Sequence, residues 1–283
     1  MWEANAKSIP SPTEIFDQTL QQIGLSSKDS VTWFRSNFEE ALTDIMGKGW
    51  DILKPYQSKA QTDFLLEIWK RNGPAYQSRA QEIIQDSMMN GLKPQEQVLR
   101  IVSEFLQDIP PEATTISQKS ITNQSKKRAG VMMEKALAFL FEKCEIPFEQ
   151  QRPKKTDFCF PDIRTYNEYP ERAVLVSAKT SLAERWREVV GEIESTGRNV
   201  FLLTLDQKHT ESRLEAIASH GIFTYIVDSE YLKFNKVKNV RPVRNLVGDI
   251  SRVCPTRPIA DARPYRPQPN DYLGVQRKQS KLV

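Results

Sequence analysis

Lys155-Thr156-Asp157-Phe158-Cys159-Phe160-Pro161-Asp162, followed by Val174-Leu175-Val176-Ser177-Ala178-Lys179, is the stretch on which the fold turns. Each half is a short apolar run bounded by polar residues or proline, the pattern of a buried strand. Working outward, residues 157–160, 173–177, 200–205 and 222–227 read as strands, while residues 182–195 and 211–219 carry apolar residues at helical spacing. Strands alternating with helices predict an α/β (α+β) arrangement, a mixed sheet flanked by helices.

The chain before this region has a different texture. Ser11-Pro12, Lys54-Pro55, Gly73-Pro74 and Lys93-Pro94 each place proline where a helix would start, since its missing N–H costs nothing there and its φ is already helical. Apolar groups such as Phe64, Leu65, Ile68 and Trp69, or Ile83, Ile84 and Met88, give these helices a face to bury, and Gly73 and Gly91 supply stops. Residues 1–112 are therefore expected to form a helical domain, closed by Pro110-Pro111-Glu112. A long amphipathic helix is expected over residues 126–143, inside a second domain of residues 118–252. Residues 253–283 read as an extended basic, proline-rich arm: from residue 252 onward the chain has seven basic residues, two acidic ones and five prolines.

Composition narrows the function. The 283 residues are 39% hydrophobic and 27% charged with a net charge of +4, which excludes a histone-like or wholly disordered chain. No apolar run approaches the ~20 residues that a membrane helix needs, and no signal-peptide core follows Met1, so a cytoplasmic protein is expected. Cys144, Cys159, Cys254, His209 and His220 are too widely separated for a zinc motif or a disulfide framework. His209 reads as a loop residue and His220 as a helix C-cap beside Gly221. Trp33, Trp50 and Trp69 read as core. Lys233, Lys236, Lys238, Arg241 and Arg244 read as a solvated basic edge.

The two opening strands place a carboxylate on one and a lysine at the end of the next. Cleaving a phosphodiester needs a divalent cation held by carboxylates and a group that positions the attacking water. Asp157 and Lys179 meet that need in part. A second acid would ordinarily stand two residues before the lysine, where this chain has Ser177. Glu192, thirteen residues beyond Lys179, can supply it, because its helical phase matches Arg185 and Glu188 on one face. Taken singly these are turn and surface charges. Their joint spacing argues for a site.

The run Lys179-Thr180-Ser181-Leu182-Ala183-Glu184-Arg185-Trp186-Arg187-Glu188-Val189 resembles the active-site and recognition segment of type II restriction endonucleases of the PD-(D/E)xK superfamily, in the branch that reads CCGG and its interrupted relatives such as CCNGG. The resemblance extends over residues 119–230 and implies a restriction-endonuclease-like core. It implies that the second acid has migrated to the helix after the lysine, as Glu192 stands here. It also places the first aspartate about twenty-two residues before the lysine, which selects Asp157, although Asp162 stands in a literal Pro-Asp pair and remains the alternative. Lys126, Lys127 and Arg128 match phosphate-contacting residues and Glu134 a glutamate near the metal site; otherwise they are a solvated helix start and a helix-surface acid.

The same resemblance makes Glu184 and Arg185 base readers. Glutamate accepts from the cytosine N4 amino group and arginine forks onto guanine O6 and N7. Ala183 departs from the family's cation at that position, so Arg187 or another donor would serve the remaining guanine. The expectation is a Mg2+-dependent endonuclease acting on double-stranded DNA as a homodimer, with higher assembly through the C-terminal arm. A repair nuclease of the same superfamily, or a non-catalytic nucleic-acid-binding helical protein, are the competing readings.

Overall fold

The computed structural model describes residues 9–108, 111–150, 156–182, 187, 190 and 199–254. The backbone divides into two compact units, one of residues 1–17 and 49–128, the other of residues 18–48 and 129–283.

The second unit holds a six-stranded sheet in sequential order: β1 (Glu149–Gln150), β2 (Phe158–Phe160), β3 (Val174–Lys179), β4 (Asn199–Thr204), β5 (Phe223–Ile226) and β6 (Val240–Pro242). β1, β2 and β3 pair antiparallel, and β3 to β6 run parallel. The side-chain period of two divides these strands cleanly. Phe158, Phe160, Val174, Val176 and Phe201 face one side, and Cys159, Leu175, Val200 and Leu202 face the other.

The first face is covered by aromatic packing. Phe141, near the end of α5 (Pro111–Lys143), lies 5.4 Å from Phe158, 4.9 Å from Phe160 and 5.5 Å from Phe38, ring centre to ring centre. All four rings are fully buried, so truncating Phe141 to alanine would cost about 3–5 kcal/mol. On the opposite face Cys159, Leu175, Leu182, Val200 and Leu202 pack with Tyr166 of α6 (Ile163–Glu168) and Ile217 of α7 (Glu211–Ser219). His220 caps α7 and Gly221 follows at φ 79°, a left-handed step that glycine takes without strain. Further helices of this unit are α2 (Val31–Ser36), α8 (Asp228–Phe234) and α9 (Leu246–Val253).

The helical part departs from the sequence reading. After α1 (Pro12–Ile23), whose start carries a reciprocal Ser11–Glu14 capping box, a single helix α3 runs over Phe38–Met89. Pro55 and Pro74 lie inside it and Gly73 does not end it. An interior proline forfeits one backbone hydrogen bond, but Leu53, Ala60 and Phe64 are buried on the turns around Pro55, and that packing outweighs the local rule. Gly91, at φ 70°, does follow the end of α3, and α4 (Pro94–Asp108) starts at Pro94 as expected. Arg79–Glu104 and Arg100–Asp86 ion pairs at 3.0 and 2.6 Å join α3 to α4. α5 begins at Pro111, not near Lys126, because the polar Ser/Thr/Gln stretch is itself helical. Met88 and Trp50 are exposed rather than core, Trp33 is half-buried beneath Lys28, and the Trp69 side chain lies outside the described residues. Among the described residues no helix is long and apolar enough to cross a membrane.

Candidate active site

The β2–β3 register sets the site. Phe158 opposes Val176, so the residue before β2, Asp157, falls opposite Ser177 on the face that also carries Lys179. The Ala178 N–H donates to Asp157 Oδ2 at 2.6 Å, the Ser177 hydroxyl stands 3.5 Å from the same oxygen, and Lys179 Nζ lies 3.6 Å from it. Lys179 is buried, with its side chain 8% exposed, and Asp157 is 15% exposed. A lysine so desolvated needs an anion beside it, and Asp157 is that anion. Asp157 Oδ1 makes no hydrogen bond to a described residue and stays available to a ligand.

Asp162 is committed elsewhere. Its Oδ1 accepts the Thr165 N–H at 2.6 Å, an N-cap for α6. The structure thus brings Asp157 and Lys179 together and leaves Asp162 as a helix cap. Glu134 is half-buried on α5 in the same unit. Lys126 and Lys127 are exposed and Arg128 half-buried, all in mid-helix on α5 and not at a helix start. Arg187 is helical and exposed, whereas Glu184, Arg185 and Glu192 lie outside the described residues, as does the arm beyond residue 254. Three of the five basic-edge residues are occupied: Lys233 pairs with Glu230, Arg241 with Asp249 and Arg244 with Asp228.

One carboxylate at this end of the sheet escaped the sequence reading. Asp206, just past β4, accepts the N–H of Leu182 on Oδ2 at 2.9 Å and that of Lys208 on Oδ1 at 2.9 Å. Burial pushes its pKa up, but the N–H groups of Lys208 and Leu182 outweigh it, and the net shift is downward. The only local signal was an aspartate directly after an apolar strand, bonded two residues on in an Asx-turn.

A divalent cation needs several hard oxygen ligands. Asp157 offers one free carboxylate oxygen, and Ser177 at the second-acid position brings no charge. Among the described residues no cluster of three or more His, Cys, Asp and Glu gathers for a metal.

Residues 92–241, which include Asp157, Lys179 and Asp206, match the EcoRII C-terminal family. The chain belongs to that family. The type II restriction enzyme SsoII of Shigella sonnei is 23% identical over 220 residues, 73% of this chain. The match spans 65% of SsoII's own length. Metal-depleted Ecl18kI in complex with uncleaved DNA superposes with a TM-score of 0.70 at 19% identity, over 95% of this chain and 85% of that one. The complex of the restriction endonuclease PspGI with substrate DNA gives 0.61 at 16% identity, over 88% and 94%. The chain therefore has the fold of these restriction endonucleases, a mixed sheet flanked by helices.

Proposed function

We propose that the chain is a type II restriction endonuclease that hydrolyses phosphodiester bonds of double-stranded DNA at a palindrome with a CCGG core, uninterrupted or as CCNGG. The observation that carries this reading is the buried Lys179 ammonium 3.6 Å from Asp157 Oδ2, on adjacent strands. Family membership and the DNA complexes of the structural neighbours support it. Among individual enzymes of the branch, the chain resembles BsaWI.

In this reading Lys179 donates a hydrogen bond to the attacking water or to the scissile phosphate and helps position the water for in-line attack. Asp157, fixed by the Ala178 N–H, pairs with Lys179 and would offer its other oxygen to the cation. Mg2+, held by Asp157 and Glu192, would offset the negative charge that develops on the phosphate. Glu134 stands near that centre as a further acid. Lys126, Lys127 and Arg128 hold the DNA backbone, while Glu184, Arg185 and Arg187 read bases. A palindrome presents two equivalent half-sites, which fits a homodimer with one Asp157–Lys179 pair per chain, acting in the cytoplasm. Residues 1–112 contribute to DNA flanks or dimerisation, and the arm of residues 253–283 to higher assembly.

The test is plasmid digestion with Mg2+. Discrete bands whose ends map to CCGG or CCNGG support the proposal. Cutting that follows DNA structure and ignores sequence would assign the chain to a repair nuclease, and binding without cutting in any divalent metal would leave a non-catalytic DNA-binding protein.

A further inference from the structure

We propose that Asp206 is a positioning residue that locks the exit of the catalytic strand β3, fixing Lys179 relative to the base-reading segment that begins at Glu184. The inference rests on the nuclease reading above and adds a residue outside its binding and catalytic groups.

The geometry is a three-point clamp. The Asp206 N–H donates to Thr204 Oγ1 at 3.1 Å, and Thr204 is the residue paired with Lys179 in the β3–β4 register. Asp206 Oδ1 accepts the Lys208 N–H, closing the loop on itself. Asp206 Oδ2 accepts the Leu182 N–H at 2.9 Å, with the Ser181 hydroxyl at 3.4 Å. Leu182 is fully buried in the core beneath the sheet, so the backbone at this point is held from both sides. Leu182 is three residues past Lys179 and two before Glu184.

Both oxygens of Asp206 accept main-chain N–H groups. An asparagine would satisfy one and set an amide N–H against the other, and an alanine would release both. The carboxylate's lowered pKa keeps it charged at any pH where the enzyme would be assayed. His209, on the same loop, is held below its ordinary pKa chiefly by burial, so it brings no competing cation at neutral pH.

The test uses the full chain and the Asp206→Asn and Asp206→Ala variants, with folded fraction measured by thermal melting. Single-turnover cleavage is followed on a duplex bearing the cognate site and on duplexes with one base pair changed. Misplacing a reacting group by about 1 Å costs roughly a hundredfold. Cognate cleavage per folded molecule is therefore expected to fall by about one to two orders of magnitude in Asp206→Ala, with Asp206→Asn between it and the parent. The ratio of cognate to altered-site cleavage should drop, while binding to random duplex stays unchanged. Hydrogen exchange at the Leu182 amide is expected to quicken in the same order. A rate loss that follows the folded fraction alone, with the discrimination ratio intact, would overturn the positioning role. An unchanged Leu182 amide in Asp206→Ala would overturn the clamp itself. If the parent chain cuts no duplex at all, the nuclease reading fails and the positioning role with it, and the exchange result still reports separately on the clamp.

Discussion

Asp157 and Asp162 stand five residues apart, yet Asp157 accepts the Ala178 N–H of the neighbouring strand at 2.6 Å while Asp162 accepts the Thr165 N–H of its own helix at 2.6 Å. Their substitution should separate the two roles. Asp157→Ala is expected to abolish cleavage per folded molecule and also to lower the melting temperature, because it leaves the buried Lys179 ammonium and the Ala178 N–H without their acceptor. Asp162→Ala should remain active and lose about 1 kcal/mol of stability, the usual worth of an N-cap. Retention of more than about a tenth of parental cleavage by Asp157→Ala, with Asp162→Ala inactive, would move the metal role to Asp162.

Lys179 presents its charge to Asp157 from a buried position at the strand end. A group that acts on the transition state affects rate more than affinity. Lys179→Ala should therefore lower single-turnover cleavage on the order of a hundredfold to a thousandfold, the scale of losing one preorganised charge-stabilising donor. Its equilibrium binding to the same duplex, measured without divalent metal, should stay within a few-fold. Parallel losses of rate and binding would make Lys179 a DNA-affinity residue.

The buried Asp249 ties α9 to the sheet: Tyr225 donates to its Oδ2 at 2.8 Å, and Arg252 and Arg241 lie 2.8 and 3.5 Å from its oxygens. Burial, then the neighbouring Asp249 charge, pushes the Tyr225 pKa well up, so the phenol stays a donor. Asp249→Ala leaves that hydroxyl and two guanidinium groups without their acceptor. A loss of about 3 kcal/mol in chemical denaturation is expected, against about 1 kcal/mol for Tyr225→Phe. Equal small losses would show that the network adds nothing beyond packing.

Glu39 accepts the N–H of Asp228 at 2.6 Å and of Arg244 at 3.2 Å. Burial, together with the Asp228 charge, overrides those bonds and raises its pKa above the ordinary 4.5. A raised carboxyl pKa means that the folded state holds the proton more tightly than the unfolded chain. Its contribution to stability is greatest below pH 4.5 and declines as pH rises through the folded value. Glu39→Gln should therefore be relatively more stable at pH 7 than at pH 4, compared with the parent, in urea titrations at both. A constant difference at the two pH values would refute the assignment.

Strands β2 to β5 and helix α7 were legible because short apolar runs and helical spacing are local signals, whereas the two- and three-residue edge strands β1 and β6 are too short to carry such a signal. Residues 211–219, read as helix, are α7 without a shift of either end. Asp157 and Lys179 were legible because sheet register converts sequence spacing into proximity. The continuous α3 was not, since Pro55 and Pro74 act locally while the packing of Leu53, Ala60 and Phe64 is tertiary. Asp206 was equally hidden: its partner Leu182 lies 24 residues away, and nothing in the spacing marks the pair.

Specificity is the remaining consequence of the nuclease reading, and it separates two kinds of cation. Arg185 is proposed to fork onto a guanine, whereas Lys127, exposed on α5, is proposed to meet a phosphate. A base contact matters only on the right sequence, because a wrong base leaves the guanidinium without acceptors, a cost of roughly 1–3 kcal/mol. A phosphate contact is made on every sequence and releases counterions, so it sets the salt dependence. Arg185→Ala should depress binding to the cognate duplex toward the level of random DNA and leave random binding almost unchanged. Lys127→Ala should weaken both and flatten the plot of log affinity against log salt by about one phosphate's worth of slope. Because Lys179, proposed to act in catalysis, and Arg185 are six residues apart on one stretch of chain, a mismatch should cost more in cleavage than in binding. Equal weakening of cognate and random binding by Arg185→Ala would make Arg185 a backbone contact and move the base-reading role off this segment.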